Sequence, residues 1–212
     1  IVDASTPDTP QVLRIIKLGS SVKSLAAVGN RVCIGFEDGR IAAVDMLSGR
    51  LLATVNVGSA VHDVAIGDDL LYGAASSALK TIIVNANGTF GAVTSLSLSG
   101  STPGSGRRRI FRGTSRLYVS HRTGMTAFDI TTPAAPALLQ YNTTGALGWS
   151  QIVTPGSNLG LACLGASASD DVSLYDLGTN GDQLNFVTTF ATPGAASALT
   201  IYNGLELAEF AQ

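Results

Sequence analysis

The chain has 212 residues, of which 45% are hydrophobic and 13% are charged, and its formal net charge is −2. This composition excludes an intrinsically disordered chain, because enough apolar side chains are present to build a substantial core. The small negative charge gives no reason to expect nucleic acid as a partner. No membrane span is expected, since no apolar stretch reaches the roughly 18 residues that cross a bilayer as a helix. The length favours one sizeable domain over residues 1–212.

The first 20 residues predict two strands joined by a turn. The apolar pair Ile1 and Val2 ends in Asp3, a turn rich in Ser, Thr, Pro and Asp follows, and a second apolar run ends near Leu18. This pattern is typical of the second half of a repeat unit rather than of the start of a domain. We call the apolar strand end with its acidic residue the anchor.

The anchor returns along the chain at spacings of 40 to 47 residues, at Asp45, Asn85, Asp129 and Asp176. A period in the low forties is typical of β-propeller blades, each a four-stranded antiparallel sheet. The residues between anchors support this reading, because each period divides into four short apolar runs. In residues 22–58 these runs are separated by Gly29-Asn30, Asp38-Gly39 and Ser48-Gly49, and Asp-Gly is a strong hairpin signal.

The predicted fold is therefore an all-β propeller of four-stranded blades, since no segment shows ten residues of helical periodicity. Four blades are predicted at residues 21–59, 60–101, 102–148 and 149–194. Residues 195–212 predict the first two strands of a fifth blade, and residues 1–20 predict its third and fourth. We expect five blades closed by pairing these two ends, which would leave no exposed sheet edge. The alternative is a fragment of a longer propeller of six or seven blades.

The anchors also carry a resemblance to a known family. IVDASTPDTPQVLRII and AFDITTPAAPALLQYN resemble the LVIVD repeat, in which an apolar strand ends in Asp before a Ser/Thr-Pro turn and an outer strand. VHDVAIGDDLLYGA resembles the opening pair of strands of that repeat. The similarity to LVIVD-repeat and YVTN-like propellers is strict at the first and third anchors; Asn85 departs from it. It implies a propeller of a bacterial surface or secreted protein, so an extracellular or cell-surface location is expected.

Structural roles are expected for the anchors and for the two cysteines. An Asp that ends the third strand accepts N–H bonds from the following turn, and anchors on successive blades are too dispersed to bind a metal. Cys33 and Cys163, assigned to one register of the second strands of two non-adjacent blades, are expected to be buried free thiols. Neither a cofactor nor a metal is predicted.

An arginine run is the first feature that indicates binding. Six of the 13 basic residues fall on the first two predicted strands of the third blade, and they are Arg107, Arg108, Arg109, Arg112, Arg116 and Arg122. Arg116 and Arg122 are interpreted as solvated. The first strand of a blade lines the central channel, where Arg108 and Arg109 would attract carboxylate, sulfate or phosphate groups.

Alignment of the first strands brings further polar residues to the same end of the channel. One register holds Lys23, Val61, Arg107, Trp149 and Ala196; the next holds Ser24, His62, Arg108, Ser150 and Ser197; the third holds Leu25, Asp63, Arg109, Gln151 and Ala198. The candidate binding site at the channel mouth consists of Lys23, His62, Asp63, Arg108, Arg109, Trp149 and Gln151. The alternative is a hydrated channel in which Asp63 pairs with a neighbouring Arg.

Three functions remain open from the sequence. The first is a non-enzymatic scaffold of a bacterial extracellular protein that binds a protein or a glycan, with an anionic small ligand as a further candidate. The second is a hydrolase or lyase for an anionic substrate such as an acidic sugar, with His62 and Asp63 as acid–base residues. The third is a purely architectural repeat domain. The sequence lacks the common catalytic motifs, which favours the first and the third function. The gathering of Arg, Trp and His residues favours the first over the third. A monomer, or one part of a larger multidomain chain, is expected.

Overall fold

The computed structural model describes residues 1–67, 69–98, 108–143, 149–163, 172–202 and 205–210. All of the regular elements in these residues are β-strands, and no helix among them is long and apolar enough to cross a membrane. The predicted all-β fold class is confirmed.

Twenty strands follow one another along the chain. The first two are β1 (Val2–Asp3) and β2 (Gln11–Val12). Blade 1 consists of β3 (Val22–Val28), β4 (Arg31–Phe36), β5 (Arg40–Asp45) and β6 (Leu51–Asn56). Blade 2 consists of β7 (Val61–Ile66), β8 (Leu70–Ala75), β9 (Ala78–Val84) and β10 (Phe90–Ser97).

The remaining strands repeat this arrangement. Blade 3 consists of β11 (Ile110–Arg112), β12 (Arg116–His121), β13 (Gly124–Asp129) and β14 (Ala137–Thr143). Blade 4 consists of β15 (Gln151–Val153), β16 (Leu159–Cys163), β17 (Val172–Asp176) and β18 (Asn185–Phe190), and the last two strands are β19 (Ala196–Tyr202) and β20 (Leu205–Phe210). Each blade is a four-stranded antiparallel sheet in which sequence neighbours are hydrogen-bonded neighbours.

The strand count is consistent with five blades, because β1–β2 and β19–β20 add two hairpins to the four complete sheets. Each hairpin forms a two-stranded antiparallel sheet of its own. Whether the two hairpins form one blade remains a prediction.

The hydrophobic core lies between adjacent blades. The cluster at the first junction combines Cys33 and Ile41 of blade 1 with Val64, Leu71 and Ile82 of blade 2. Three further clusters join blade 2 to 3, blade 3 to 4, and blade 4 to β19. Stability therefore depends on how tightly each sheet packs on the next.

Gly35 shows how close this packing is. A Cβ atom at Gly35 of β4 would lie 2.6 Å from Val61 Cγ1 of β7, which is shorter than any relaxed carbon–carbon contact. The absence of a side chain at this position lets blade 2 approach blade 1.

Both cysteines lie in these cores as buried free thiols, as predicted. Burial raises the pKa of Cys33 to about 11 and that of Cys163 to about 11. Their assignment to one register was wrong, because Cys33 is the third residue of β4 whereas Cys163 is the fifth of β16.

The register of the first strands follows the sequence alignment in all blades except the first. Asp63, Gln151 and Ala198 each pair with the fifth residue of the following strand, and Arg109 O accepts a hydrogen bond from the N–H of the equivalent Ser120. In blade 1 this position belongs to Ser24, which pairs with Gly35, and not to Leu25, so the sequence alignment was one residue too far along this strand.

One anchor was also misaligned. Asp45, Asp129 and Asp176 pair with the first residue of the preceding strand, but in blade 2 the residue paired with Leu70 is Ile83. Asn85 lies two residues beyond the equivalent position, which explains its departure from the repeat pattern.

Candidate functional site

The anchor aspartates organise the turns that follow them. Asp129 Oδ1 accepts hydrogen bonds from the Thr131 N–H (2.7 Å) and hydroxyl (2.6 Å), and Asp45 Oδ1 accepts both corresponding groups of Ser48 at 2.6 Å. Asp3 and Asp176 accept one N–H each from the residue two positions on. The bonds from the turn hold the pKa of Asp3, Asp45 and Asp129 below its usual range. The structural interpretation of the anchors is confirmed.

A grouping of metal ligands is not found among the residues that the structure describes, in which no three His, Cys, Asp or Glu side chains lie close enough to hold an ion.

Two of the predicted channel residues join neighbouring blades. Asp63 Oδ2 of blade 2 accepts a hydrogen bond from the Ile110 N–H of blade 3 (2.8 Å), while its Oδ1 accepts the Val64 N–H (3.0 Å). Gln151 of blade 4 donates its side-chain amide to Leu199 O (3.0 Å) and accepts the Leu199 N–H (3.1 Å). Since Ile110 and Leu199 occupy equivalent positions, these are the same contact at two junctions. We call them the inner clasps.

Blade 3 uses a different residue for the same purpose. Its residue at the clasp position is Arg109, a side chain without an acceptor atom. The contact with blade 4 is made instead by Ser120 of β12, whose hydroxyl donates to Ser150 O (2.8 Å) and accepts the Arg109 N–H (3.1 Å). Arg109 is partly exposed and forms no ion pair with Asp63 among the described residues.

A second set of contacts joins the blades at the opposite end of the sheets. Arg31 Nη2 donates to Ala86 O (3.0 Å), the Tyr72 hydroxyl donates to Pro133 O (2.8 Å), and Arg116 Nε donates to Asn180 O (2.6 Å). In each case a second-strand side chain reaches a carbonyl that follows the third strand of the next blade. We call these the outer clasps.

Sequence reasoning missed the outer clasps and interpreted Arg116 as solvated. Arg116 also forms an ion pair with Asp129 (2.9 Å), and its side chain is only 25% exposed. The sequence contained a usable signal, since Arg31 and Arg116 are each the first residue of a second strand, directly after a turn.

Three further residues of the predicted mouth make contacts of their own. The Nζ of Lys23 forms an ion pair with Glu37. His62 Nε2 lies 3.1 Å from the Ser76 hydroxyl, and Arg108 Nη2 donates to Ser76 O (2.9 Å). His62 and Arg108 thus meet at one turn, whereas Arg107 lies outside the described residues.

Arg108 and Trp149 are buried instead of facing an opening. Arg108 is 0% exposed, and burial lowers its pKa to about 10. Trp149 is 0% exposed in the core between blades 3 and 4, with its ring centroid 5.0 Å from that of Tyr175. These two large side chains fill the interior of the molecule.

His121 is a buried polar residue that the sequence did not single out. Its ring stacks on Tyr141 with centroids 4.7 Å apart, its Nδ1 lies 3.3 Å from the Thr123 hydroxyl, and its Nε2 has no hydrogen-bond partner in the described part of the chain. Burial lowers the pKa of His121 to about 4, and the charge of Arg108 acts in the same direction. His121 is therefore neutral at pH 7.

Two grooves open between blades at the end that carries the outer clasps. One, of about 360 Å³, lies between residues 113–116 of blade 3 and residues 154–156 and 179–181 of blade 4. The other, of about 350 Å³, lies between residues 28–31 of blade 1 and residues 86–88 of blade 2. Arg116 and Arg31, the two outer-clasp arginines, line these grooves. The grooves are thus equivalent places at two junctions.

Replacement of Asp63 by alanine should lower the free energy of unfolding by about 2 kcal/mol, because the buried N–H of Ile110 loses its acceptor. Urea denaturation followed by circular dichroism measures the effect. Asp69→Ala, at an exposed position of the same blade, is the control and should change stability by less than about 0.5 kcal/mol. Equal effects of the two substitutions would contradict the clasp.

Comparison with solved structures places the chain among β-propellers. BamB from Moraxella catarrhalis is similar with a TM-score of 0.64 and 21% identity, over 94% of this chain and 56% of BamB. The WD40 domain of Toxoplasma gondii coronin is similar with a TM-score of 0.58 and 16% identity, over 84% of this chain and 48% of that one. The computationally designed protein Ika4 has a TM-score of 0.60 and 19% identity, over 79% of this chain and 99% of Ika4.

These likenesses define the fold class, and the chain is a β-propeller protein. No protein-family model matches the chain, and no curated protein matches it. The resemblance to LVIVD and YVTN-like repeats therefore stays a prediction.

Proposed function

We propose that this propeller is a non-enzymatic interaction module that binds a protein or glycan through the turns at the outer-clasp end. The observation that carries the proposal is the repeated groove, which offers a surface of mixed polar and apolar residues at two equivalent junctions. Each groove combines turn residues with exposed polar side chains, such as Thr114 and Asn158 at one and Asn30 and Asn87 at the other. Extended partners are well suited to surfaces that repeat along a molecule.

The placement of the first-strand polar residues favours this proposal over an enzyme that uses the channel. Asp63 is 8% exposed, and both of its carboxylate oxygens accept backbone N–H groups. A general acid or base must reach the proton that it transfers. The clasp role of Asp63 therefore competes with the catalytic role that the sequence suggested.

We further propose that the module belongs to a bacterial extracellular or cell-surface protein. The support is the resemblance of the anchors at Asp3 and Asp129 to LVIVD repeats, together with a turn-rich composition of 24 Gly in 212 residues. Treatment of intact cells with a protease tests this proposal. Degradation of the propeller without cell lysis is the expected result, and complete protection would contradict it.

Groove variants test the binding proposal. Thr114→Arg and Asn87→Arg place a long charged side chain at an exposed rim position of each groove. Ser77→Arg is the matched control, because Ser77 is also exposed but lies in the β8–β9 turn at the opposite end of the sheet. The probes are a glycan array and a displayed library of extended peptides.

We expect the wild type to bind one of the two probe classes. A groove variant should weaken this binding roughly tenfold, which corresponds to about 1.4 kcal/mol of binding free energy. The Ser77→Arg control should bind as the wild type does. Absence of binding to both probes, or equal loss in the control, would overturn the proposal.

A further inference from the structure

Two Asn-Gly pairs, Asn87-Gly88 and Asn180-Gly181, lie in turns whose carbonyl groups accept the outer-clasp hydrogen bonds. Asparagine is a chemically labile residue, because the main-chain nitrogen of the following residue can attack its side-chain amide carbon. This attack is least hindered where the following residue is glycine, which has no side chain. Asn180 is exposed, and Asn180 and Gly181 both line the groove between blades 3 and 4. Solvent in the groove therefore reaches this pair.

The fold requires glycine at position 181. Gly181 has a φ of 69°, a left-handed conformation that favours glycine, and a Cβ atom here would lie 2.6 Å from the Tyr118 hydroxyl oxygen. The N–H of Gly181 donates to Gly178 O at 3.1 Å, near the long end of the range for such bonds. The nitrogen that would attack Asn180 is therefore shielded by no side chain of its own and is held by a long hydrogen bond.

The outer clasp also places a positive charge on the peptide group that would react. Arg116 Nε donates to Asn180 O (2.6 Å), which is the carbonyl oxygen of the peptide bond between Asn180 and Gly181. When the Gly181 nitrogen loses its proton, the negative charge is shared between that nitrogen and Asn180 O, because the peptide group is conjugated. A guanidinium bonded to this oxygen stabilises the charge. Arg116 thus promotes the deprotonation that precedes the attack.

At Asn87 the equivalent clasp acts on a different peptide group. Arg31 Nη2 donates to Ala86 O, so its charge lies on the peptide bond that precedes Asn87 and not on the one that follows it. The side-chain oxygen of Asn87 also accepts the N–H (3.0 Å) and the hydroxyl (2.7 Å) of Thr89, which restrain the amide. Asn87 is therefore an internal control with the same dipeptide, the same exposure and no activating contact on the reacting peptide.

We propose that Asn180-Gly181 is a site of spontaneous deamidation in the wall of the groove, promoted by Arg116. The Gly181 nitrogen, deprotonated by hydroxide, attacks the side-chain amide carbon of Asn180. A carbon–nitrogen bond forms, and the amide nitrogen leaves as ammonia with a proton taken from water. Water then opens the cyclic imide at either carbonyl, which gives aspartate or isoaspartate.

Both products add a negative charge to the groove that Arg116 lines. In the isoaspartate product, the oxygen bonded to Arg116 belongs to a carboxylate, so this outer clasp becomes an ion pair. The inference concerns the chemistry of the groove wall and does not depend on the proposed function.

Incubation of the purified protein at mildly alkaline pH, followed by peptide mass spectrometry, measures conversion at Asn180 and Asn87 in one sample. Proteolysis in heavy-oxygen water marks any conversion that takes place during digestion. We expect Asn180 to convert roughly tenfold faster than Asn87, since a hydrogen bond to a charged group is worth about that factor. Equal rates, faster conversion at Asn87, or no conversion at Asn180 would overturn the proposal.

Arg116→Gln tests the contribution of the charge. The glutamine amide nitrogen occupies the same place along the side chain as Nε of arginine, so it can keep a bond to Asn180 O without the charge. We expect conversion of Asn180 to slow roughly fivefold in this variant, with conversion of Asn87 unchanged. Arg31→Gln is the matched control and should leave the rate at Asn180 unchanged.

Loss of a merely structural clasp would have the opposite effect, because a loosened turn exposes the Gly181 nitrogen. Unchanged or faster conversion of Asn180 in Arg116→Gln would therefore overturn the promoting role of Arg116. Equal slowing of Asn180 by Arg31→Gln would also overturn it.

Discussion

Replacement of Trp149 by alanine is expected to lower the free energy of unfolding by about 4 kcal/mol, the largest effect of any substitution considered. Trp149 is 0% exposed and packs between blades 3 and 4 in one cluster with Met125, Ile152 and Tyr175. Its removal leaves a cavity that stiff sheets on both sides cannot collapse to fill.

The measurement is urea denaturation followed by far-ultraviolet circular dichroism, since Trp149 is the only tryptophan and its fluorescence is lost with it. Trp149→Phe is the matched control, and we expect it to cost about half as much because the cavity is smaller. A loss below about 1 kcal/mol for the alanine variant would contradict the core position. It would instead favour the ligand-binding role that the sequence predicted.

Acidification from pH 7 to pH 4 is expected to destabilise the protein by about 3 kcal/mol through His121 alone. The pKa of this histidine is near 6.5 in the unfolded chain and about 4 in the folded protein. Between these values the unfolded state binds one more proton, so stability falls as the pH falls. The cause is burial beside Arg108, where a second positive charge is costly.

His121→Phe should remove this dependence, because phenylalanine retains the stacking on Tyr141 and does not titrate. The experiment compares the slope of unfolding free energy against pH for wild type and variant between pH 7 and pH 5, where titration of the carboxylates contributes little. His62→Gln reports how much of the slope belongs to the other histidine. An unchanged slope in His121→Phe would contradict the buried, neutral state of His121.

The fold could be predicted from the sequence because its determinants are local. Hairpin signals such as Asp38-Gly39 mark where a strand reverses, and the anchors at Asp45 and Asp129 bond to turns only two or three residues away. Apolar runs between these signals leave no alternative to short strands. Two positions were misaligned: Leu25 lies one residue beyond the clasp position that Ser24 occupies, and Asn85 lies two residues beyond the anchor position.

The site could not be predicted to the same extent. A polar residue on a first strand can bind a ligand or bond to the backbone of the next blade, and the sequence looks the same in both cases. Asp63 and Gln151 were placed correctly in one register but assigned to a ligand, whereas the structure bonds both to the backbone of the next blade. The difference depends on the distance between blades. That distance is set by packing between residues far apart in the sequence, such as Gly35 against Val61.

The burial of Arg108 was not predicted for the same reason. Its strand position was compatible with the channel mouth, but its guanidinium donates to Ser76 O of the neighbouring blade and is covered completely. A cluster of six arginines in one blade suggested a surface for anions. In the structure, Arg108 and Arg116 use side-chain donors to bind backbone carbonyls across blade junctions.

Amide hydrogen exchange of Ile110 and Leu199 tests most directly the central claim, that first-strand polar side chains clasp the blades together. Both amides donate to a side chain of the preceding blade, Ile110 to Asp63 and Leu199 to Gln151. Asp63→Ala should therefore accelerate exchange at Ile110 but not at Leu199, and Gln151→Ala should do the reverse, by roughly tenfold or more in each case. Unchanged exchange at both amides, or acceleration without this selectivity, would contradict the account.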